Sequence, residues 1–164
     1  MLTARRGFAT AIDYTSMAVP LGLLAVTAVL RRRRHPGRPL PEPSPKKVRL
    51  LVAAGLTLPL SAALAATEAA GGSLGKRAMK LTLRDEAGAE LPSYAQALTR
   101  SLLKTALPWE LGHQAVWEFR ADNTRRGAVL AGGAYLALGL QAAAILRGRP
   151  TYPDRVAQTR VTSA

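Results

Sequence analysis

The sequence predicts an all-α fold, namely a polytopic membrane protein with about three transmembrane helices and an interfacial amphipathic helical segment. Of the 164 residues, 48% are hydrophobic and only 5% are aromatic, and the apolar residues are gathered into long blocks with the charges between them. A soluble domain scatters its apolar residues in short periodic runs instead. The blocks cover residues 7–30, 50–70 and 127–146, and each is close to the roughly 20 residues that cross the hydrocarbon core of a bilayer. We therefore interpret residues 1–164 as a single membrane domain.

The charge of the chain indicates a lipid partner. The formal net charge is +13, and the basic residues cluster at the edges of the apolar blocks, where anionic headgroups would meet them. Membrane electrostatics explains this charge more simply than nucleic acid, so we expect no nucleic-acid partner. The chain has no cysteine, which excludes disulfides and thiolate metal sites. Because the sequence shows no nucleophile–base or multi-ligand metal pattern, we expect no enzyme activity, no metal and no cofactor.

The first block contains a single charged residue, Asp13, and Arg6 stands seven positions before it. Seven residues make about two helical turns, so the two side chains share one face. A carboxylate inside a membrane helix is costly unless it is paired or protonated, which makes Asp13 the first functional candidate. The alternative is that Asp13 lies at the headgroup level, held by Arg5 or Arg6, and has only an architectural role.

Residues 31–49 are rich in arginine, lysine and proline. Proline opposes a helix, so we predict an exposed, extended linker whose charges act as stop-transfer signals or dock to lipid or protein. In the second block, Pro59 is expected to kink the helix. Glu68 lies near the far end of this block and is a candidate for a proton relay with Asp13.

Residues 71–126 are predicted to form an interfacial region. Weak alternation at 80–83, followed by a turn at 85–88, predicts a short hairpin. Ser93 and Gln96 predict a capping box at the start of a short helix. The polar face of this helix carries Arg100 and Lys104, and a cationic amphipathic helix of this kind lies along the membrane surface.

Pro108 is expected to end that helix, and a further helical segment follows. In it Glu110 and His113 are three positions apart and share a face. This spacing suits a satisfied hydrogen bond or a proton relay, and less readily a metal site, which needs further ligands. In the third block, small residues recur four apart, as at Ala128 and Gly132. Such spacing permits close helix packing and favours a homo-oligomer or a larger membrane complex.

Four segments, taken in order, resemble the RDD family of membrane proteins. Residues 5–13 resemble the family's opening, in which Arg6 and Asp13 match the arginine and the first aspartate. Residues 72–77 resemble its Gly-x-x-Gly-Lys-Arg segment after the second helix. The residues that match this segment are Gly72, Gly75, Lys76 and Arg77.

Two further matches extend this resemblance over nearly the whole chain. Arg100 falls where an arginine commonly follows the glycine segment, and residues 151–161 resemble the closing motif. Asp154 then matches the second aspartate and Thr159 a threonine of that motif. Pro153 stands where a histidine is usual, and Gln158 where a glycine is usual. Some family members have been proposed to act in cation/proton antiport, and the resemblance implies this activity as an expectation.

Two functional hypotheses follow. In the first, the protein is a transporter or accessory subunit in which Asp13, paired with Arg6 and with Asp154 or Arg155, binds a proton or a small cation. In the second, it is a structural or interaction protein in which the same charges only lock helix packing. Either way we expect a multi-pass protein of a bacterial inner (plasma) membrane.

Overall fold

A computed structural model describes residues 2–35 and 44–164. Within these residues the fold is mostly helical, as predicted. Its helices are α1 (Leu2–Arg34), α2 (Pro45–Val52), α3 (Leu58–Ala69), α4 (Leu74–Ala78), α5 (Tyr94–Ser101), α6 (Leu107–Arg120), α7 (Thr124–Leu146) and α8 (Tyr152–Val156). Two short strands, β1 (Leu81–Asp85) and β2 (Thr159–Ser163), complete it.

Two helical stretches of the described chain are long and apolar enough to cross a membrane. They are Pro45–Ala78 and Thr124–Leu146, and they contain the predicted spans 50–70 and 127–146. The predicted span 7–30 lies within α1. The count of three spans is therefore not confirmed, although the helical fold class is.

Both ends of the predicted linker 31–49 are helical. Helix α1 continues to Arg34, and α2 begins at Pro45, where Ser44 is the N-cap and accepts a hydrogen bond from the Lys47 amide. The prediction of an extended linker is wrong at these ends. Proline at the first position of a helix loses no hydrogen bond, because that N–H has no partner within the helix. Residues 36–43, which carry the other prolines of the linker, lie outside the described residues.

A π-helical turn precedes Pro59, and another precedes Pro108. The turn Ala53–Thr57 joins α2 to α3 ahead of Pro59, and the turn Leu102–Ala106 joins α5 to α6 ahead of Pro108. In each turn the backbone bonds reach one residue further back than in an α-helix. The helix consequently continues through Pro108, and the prediction that Pro108 ends it is wrong.

The helical run from α5 to α6 lies antiparallel to the run from α2 to α3. Three contacts between them follow in reverse order along the two runs. The pairs are Arg49 with Glu118, Thr57 with Glu110, and Glu68 with Arg100. Helix α6 then packs along α7 after a tight turn. Residues 94–120 are therefore a long element of the helical bundle.

The cations of this helical run do not lie at a membrane surface as predicted. Arg100 and Lys104 are only 3% and 5% exposed, and the predicted apolar face is not exposed either, since Ala106 is buried at 7%. An amphipathic helix on a membrane surface would turn its cations to the headgroups. Here the cations turn inward because buried carboxylates compensate their charge. The capping box of Ser93 and Gln96 at the start of α5 is confirmed.

The strand β1 pairs with β2 near the end of the chain, in antiparallel register from Leu81 opposite Ser163 to Asp85 opposite Thr159. The predicted local hairpin is therefore wrong. Its turn does form, since the Gly88 amide donates to the Asp85 side chain at 2.7 Å. The partner strand comes from the C-terminal segment, and one face of β1 is buried, since Leu81 and Leu83 are 2% and 0% exposed. This pairing ties the C-terminal segment to the end of α4.

One departure from the family pattern has a conformational consequence. Gln158 has a φ of 52°, a left-handed conformation that costs most residues roughly 1–2 kcal/mol and costs glycine little. Its side chain is exposed. We expect Gln158→Gly to raise the free energy of unfolding by roughly 0.5–1 kcal/mol, measured by thermal unfolding in detergent. A lower unfolding temperature would show that the Gln158 side chain stabilises the fold.

Candidate functional site

Seven ionisable side chains meet inside the protein and form what we call the charge cluster. Each is at most 8% exposed, and they come from α1, α3, α4, α5, α8 and the second π-helical turn. The cluster consists of Arg6, Asp13, Glu68, Lys76, Arg100, Lys104 and Asp154. Buried charges of this kind must be paired and hydrogen-bonded to be tolerated.

Arg100 joins two of the carboxylates. Its Nη1 donates to both oxygens of Glu68 at 2.7 and 2.9 Å, and its Nε donates to Asp154 Oδ1 at 2.7 Å. The planar guanidinium suits such multiple contacts. Arg6 reaches the other oxygen of Asp154, with Nη2 3.2 Å from Oδ2, and donates through Nη1 to the Arg149 carbonyl at 3.0 Å. Helices α1, α3, α5 and α8 are linked through these contacts.

Asp154 also caps its own helix. Its Oδ2 accepts hydrogen bonds from the amide and the hydroxyl of Thr151 at 2.9 and 2.8 Å, which completes a capping box at the start of α8. Burial alone would raise the pKa of Asp154, but the guanidinium of Arg100 and the hydrogen bonds from Thr151 hold this pKa below its ordinary value. Asp154 is therefore ionised at neutral pH.

Asp13 has a different environment from the other two carboxylates. It accepts a hydrogen bond from Ser73 Oγ at 2.7 Å and one from the Gly75 amide at 2.9 Å. Two lysines lie further away, with Nζ of Lys104 at 3.6 Å and Nζ of Lys76 at 3.9 Å from Oδ2. Lys76 is engaged elsewhere, since it donates to Glu68 and to Ser73. Asp13 is thus held by neutral donors, with Lys104 beside it and Lys76 bonded mainly to Glu68.

The contact between Asp13 and α4 requires a glycine. A Cβ on Gly75 would lie 2.0 Å from the Ala9 carbonyl oxygen and 2.8 Å from Asp13 Oδ1. Both distances are far inside van der Waals contact, so only glycine lets α4 approach α1 this closely. This explains the second glycine of the Gly-x-x-Gly-Lys-Arg segment in physical terms.

Pro108 and the π-helical turn before it leave two backbone carbonyls beside the cluster free to bind side chains. Pro108 has no N–H to donate to the Lys104 carbonyl. The Leu107 amide donates to the Leu102 carbonyl and not to that of Leu103. Side chains from three other helices bind the carbonyls left without these donors. They are Tyr14 at 2.9 Å and Gln141 at 3.1 Å on the Lys104 carbonyl, and Tyr152 at 2.8 Å on the Leu103 carbonyl.

The charges of the cluster do not balance. Its four cations, Arg6, Lys76, Arg100 and Lys104, face three carboxylates, Asp13, Glu68 and Asp154. A cavity of about 20 Å³ lies among them, lined by Arg6, Asp13, Lys104 and others. This volume is about that needed for one water molecule with several polar partners. Ionisable side chains and space for one water molecule thus occur together at this site.

The predicted pairing of Arg6 with Asp13 does not occur, although both side chains face the cluster. Seven residues along a helix separate them by about 10.5 Å, too far for a direct ion pair. Arg6 reaches Asp154 instead, and Asp13 reaches α4. Glu68, a candidate relay, lies in the cluster. Arg155 is exposed and lies outside it.

Three residues of the family motifs act through the backbone. Arg77 is exposed, and its Nε donates to the Gly72 carbonyl at 2.9 Å. Gly72 is buried, and a Cβ there would lie 3.3 Å from the Leu81 carbonyl. The Thr159 hydroxyl lies 3.5 Å from the Asp154 carbonyl. These contacts position the segments that carry Lys76 and Asp154.

Glu110 and His113 do not bind each other. Glu110 accepts hydrogen bonds from Thr57 and, at 3.5 Å, from Gln114. His113 Nε2 accepts from the Trp117 indole at 3.1 Å. Glu110 and His113 both lie on α6 and are not part of the charge cluster.

The sequence did not single out Ser73, Thr151 and Lys104 as site residues. Thr151 and Asp154 have the Thr-x-x-Asp spacing of a capping box, a signal that could have identified Thr151. Sequence periodicity places Lys104 on the polar face of a surface helix. Periodicity alone cannot distinguish a polar face that meets water from one that meets buried carboxylates. Ser73 carries no signal of its own, since its partner Asp13 is sixty positions away.

The fold and the cluster define a class of protein in which apolar helices of membrane-spanning length are joined at one end by buried ion pairs. The RDD family model matches residues 2–158, and the chain belongs to the RDD family. This membership confirms the resemblance, and together with the two apolar helices it fits a membrane protein. Neither the curated proteins nor the solved structures contain a match to the chain.

Proposed function

We propose that this RDD-family chain is a multi-pass protein of a bacterial inner membrane and that its charge cluster handles protons, as a small transporter or an accessory subunit. The observation that carries the proposal is the burial of four cations with three carboxylates, together with a water-sized cavity lined by the four cations and Asp13. Buried ion pairs contribute little net stability compared with apolar side chains. Ionisable residues among membrane helices commonly mark proton or ion pathways.

The charge surplus favours a proton over a metal cation. A metal ion entering the cluster would add positive charge to a site that already has one cation more than carboxylates. The loss of one proton from a lysine, by contrast, makes the cluster neutral. The pair suited to this exchange is Asp13 and Lys104, whose Oδ2 and Nζ atoms lie 3.6 Å apart beside the small cavity.

The other two carboxylates have a supporting role in this proposal. Arg100 donates to Glu68 and to Asp154 at 2.7 Å, and such charge-assisted bonds hold a carboxylate in its ionised form. They fix the helix ends around Asp13 and do not themselves carry the proton. The working part of the cluster is therefore Asp13 with Lys104 and the water-sized cavity.

Proton flux into vesicles tests this proposal. The purified protein is reconstituted with a pH-sensitive dye inside, and an imposed pH gradient is followed with and without protein. We expect flux above protein-free vesicles for the wild type and its loss in Asp13→Asn, because the amide cannot accept a proton at neutral pH.

The matched control is Asp122→Asn, the same chemical change at an exposed position in the turn between α6 and α7. It should keep the wild-type flux. The unfolding temperature of each variant is measured in parallel, so that lost flux can be separated from a lost fold. If wild-type vesicles show no more flux than protein-free vesicles, the proton-handling proposal is rejected.

The contacts of Asp154 favour a second function. Both oxygens of its carboxylate are already occupied by hydrogen bonds, which come from Arg6, Arg100 and Thr151. In this alternative the cluster only locks the ends of the helices together, and the protein is a structural or interaction component. It predicts lower stability for Asp13→Asn with no flux in any variant. The exposed glycines of α7, Gly132 and Gly139, have open space beside them and suit packing against a second copy or another membrane helix.

A further inference from the structure

A second, larger cavity lies apart from the cavity of the charge cluster. Its volume is about 250 Å³, and it lies where α1 faces the two π-helical turns and the helices that follow them. Tyr14, Ser61 and Ala106 are among its lining residues, with Ala18 and Trp109. The last two side chains are exposed and form its rim.

The wall of this cavity is almost entirely carbon, although several lining residues have hydroxyl groups. The Tyr14 hydroxyl donates to the Lys104 carbonyl and the Thr57 hydroxyl to Glu110, so both are turned away from the space. Ser61 Oγ has no hydrogen-bond partner among the described residues, but it is itself fully buried and is not exposed to the space. An occupant therefore meets an apolar surface.

The size and composition of the cavity disfavour water as its occupant. A buried water needs two to four polar partners, whereas an engineered apolar cavity of roughly 150 Å³ stays dry and takes up benzene. The present cavity is larger and is bordered by Leu56 and Leu60, which belong to the apolar stretch Pro45–Ala78. Its mouth would therefore meet the hydrocarbon of a bilayer.

We propose that this cavity binds the aliphatic chain of a bilayer phospholipid. The chain enters past Ala18 and Trp109 and contacts the carbon surface left by the two π-helical turns. A π-helical turn is a rare interruption of an α-helix and is often found at a functional site. Here two such turns face the same cavity. The bound chain would press against Tyr14, which links the cavity to the Lys104 carbonyl of the cluster region.

Tryptophan fluorescence tests this assignment, because the chain has two tryptophans. The variant Trp117→Phe leaves Trp109 at the rim of the cavity. The variant Trp109→Phe leaves Trp117, whose ring contacts the guanidinium groups of Arg49 and Arg120. Each protein is reconstituted into phosphatidylcholine vesicles with an increasing fraction of dibrominated-chain phosphatidylcholine, in which bromine quenches tryptophan on contact.

We expect Trp109 to be quenched at lower fractions of brominated lipid than Trp117. Filling the cavity with Ala106→Leu in the Trp117→Phe background should make the quenching of Trp109 roughly twofold weaker, because the added side chain occupies the space of the lipid chain. The matched control is Ala128→Leu, an exposed position on α7, which should leave the quenching unchanged.

Two results would overturn the proposal. One is equal quenching of Trp109 and Trp117 over the whole titration. The other is undiminished quenching of Trp109 in Ala106→Leu at an unchanged unfolding temperature. If Ala106→Leu does not fold, Ala18→Leu at the exposed rim replaces it, and the same loss of quenching is expected.

Discussion

Asp154→Asn should lower the free energy of unfolding by about 3–5 kcal/mol, the usual cost of removing one partner from a buried ion pair. The reason is that Arg6 loses its carboxylate partner and Arg100 loses one of its two, while both stay buried at 8% and 3% exposure. The amide can still accept hydrogen bonds, so what the variant removes is mainly the negative charge. Thermal unfolding in a mild detergent gives the measurement.

The matched control for this substitution is again Asp122→Asn, in which the carboxylate is exposed and should change stability by less than about 0.5 kcal/mol. A second variant, Arg6→Gln in the Asp154→Asn background, should recover part of the loss because it removes the cation that has lost its carboxylate partner, whereas Arg100 keeps Glu68. If Asp154→Asn unfolds at the wild-type temperature, the cluster does not hold α1, α5 and α8 together in solution.

The pH dependence of stability provides a further check on Asp154. Its pKa is lower in the folded protein than its ordinary value, so the folded state binds this proton less readily than the unfolded chain. The stability that Asp154 contributes is therefore complete above the ordinary aspartate pKa of about 3.9. It is lost as the pH falls through the lower, folded pKa. Below about pH 4 the wild type should lose stability on acidification more steeply than Asp154→Asn.

The helical class and several residues of the cluster could be predicted because they depend on local signals. The apolar blocks 50–70 and 127–146 are long enough to identify from composition. The motif residues Asp13, Lys76 and Arg100 stand in ordered segments that resemble one family. Helix caps such as Ser93 with Gln96 depend on residues three positions apart, which makes them visible in a single sequence.

The pairings could not be predicted because they join residues that are far apart in the sequence. Arg6 shares a helical face with Asp13, yet its partner is Asp154 near the other end of the chain. A turn follows the strand β1 and predicts a local hairpin, yet β1 pairs with the distant strand β2. Sequence periodicity identifies the polar face of α5. It does not reveal whether the charge of Arg100 on this face is solvated by water or paired with Glu68. These outcomes depend on tertiary contacts, which override local preference.

Gly75→Ala should be nearly as destabilising as the loss of Asp154. The added Cβ would lie 2.0 Å from the Ala9 carbonyl oxygen, which belongs to the backbone of α1 and cannot turn aside. Overpacking of this kind costs about 1–3 kcal/mol. When α4 moves away, the bond from the Gly75 amide to Asp13 also lengthens beyond its 2.9 Å, and a hydrogen bond to a charged group contributes about 1.5–3 kcal/mol.

Gly132→Ala is the control for this change, since Gly132 lies in α7 and, apart from its own helix backbone, no described residue comes within 4 Å of an added Cβ. Alanine at an open position inside a helix should stabilise the protein by about 0.5–1 kcal/mol. The two identical substitutions are thus expected to shift the unfolding temperature in opposite directions. Equal shifts would show that α4 does not approach α1 as closely as described.

A double-mutant cycle with Asp13→Asn separates the two effects of Gly75→Ala. These are the clash with the Ala9 carbonyl and the weakened hydrogen bond from the Gly75 amide to Asp13. In the wild-type background Asp13→Asn weakens the contacts from Ser73 and from the Gly75 amide. In the Gly75→Ala background the amide contact is already lost, so the second substitution should cost less. A coupling energy of about 0.5–3 kcal/mol is expected for residues in direct contact. Strictly additive costs would instead mean that the clash with Ala9 accounts for the whole effect of Gly75→Ala, and that Asp13 is held by Ser73 and the lysines alone.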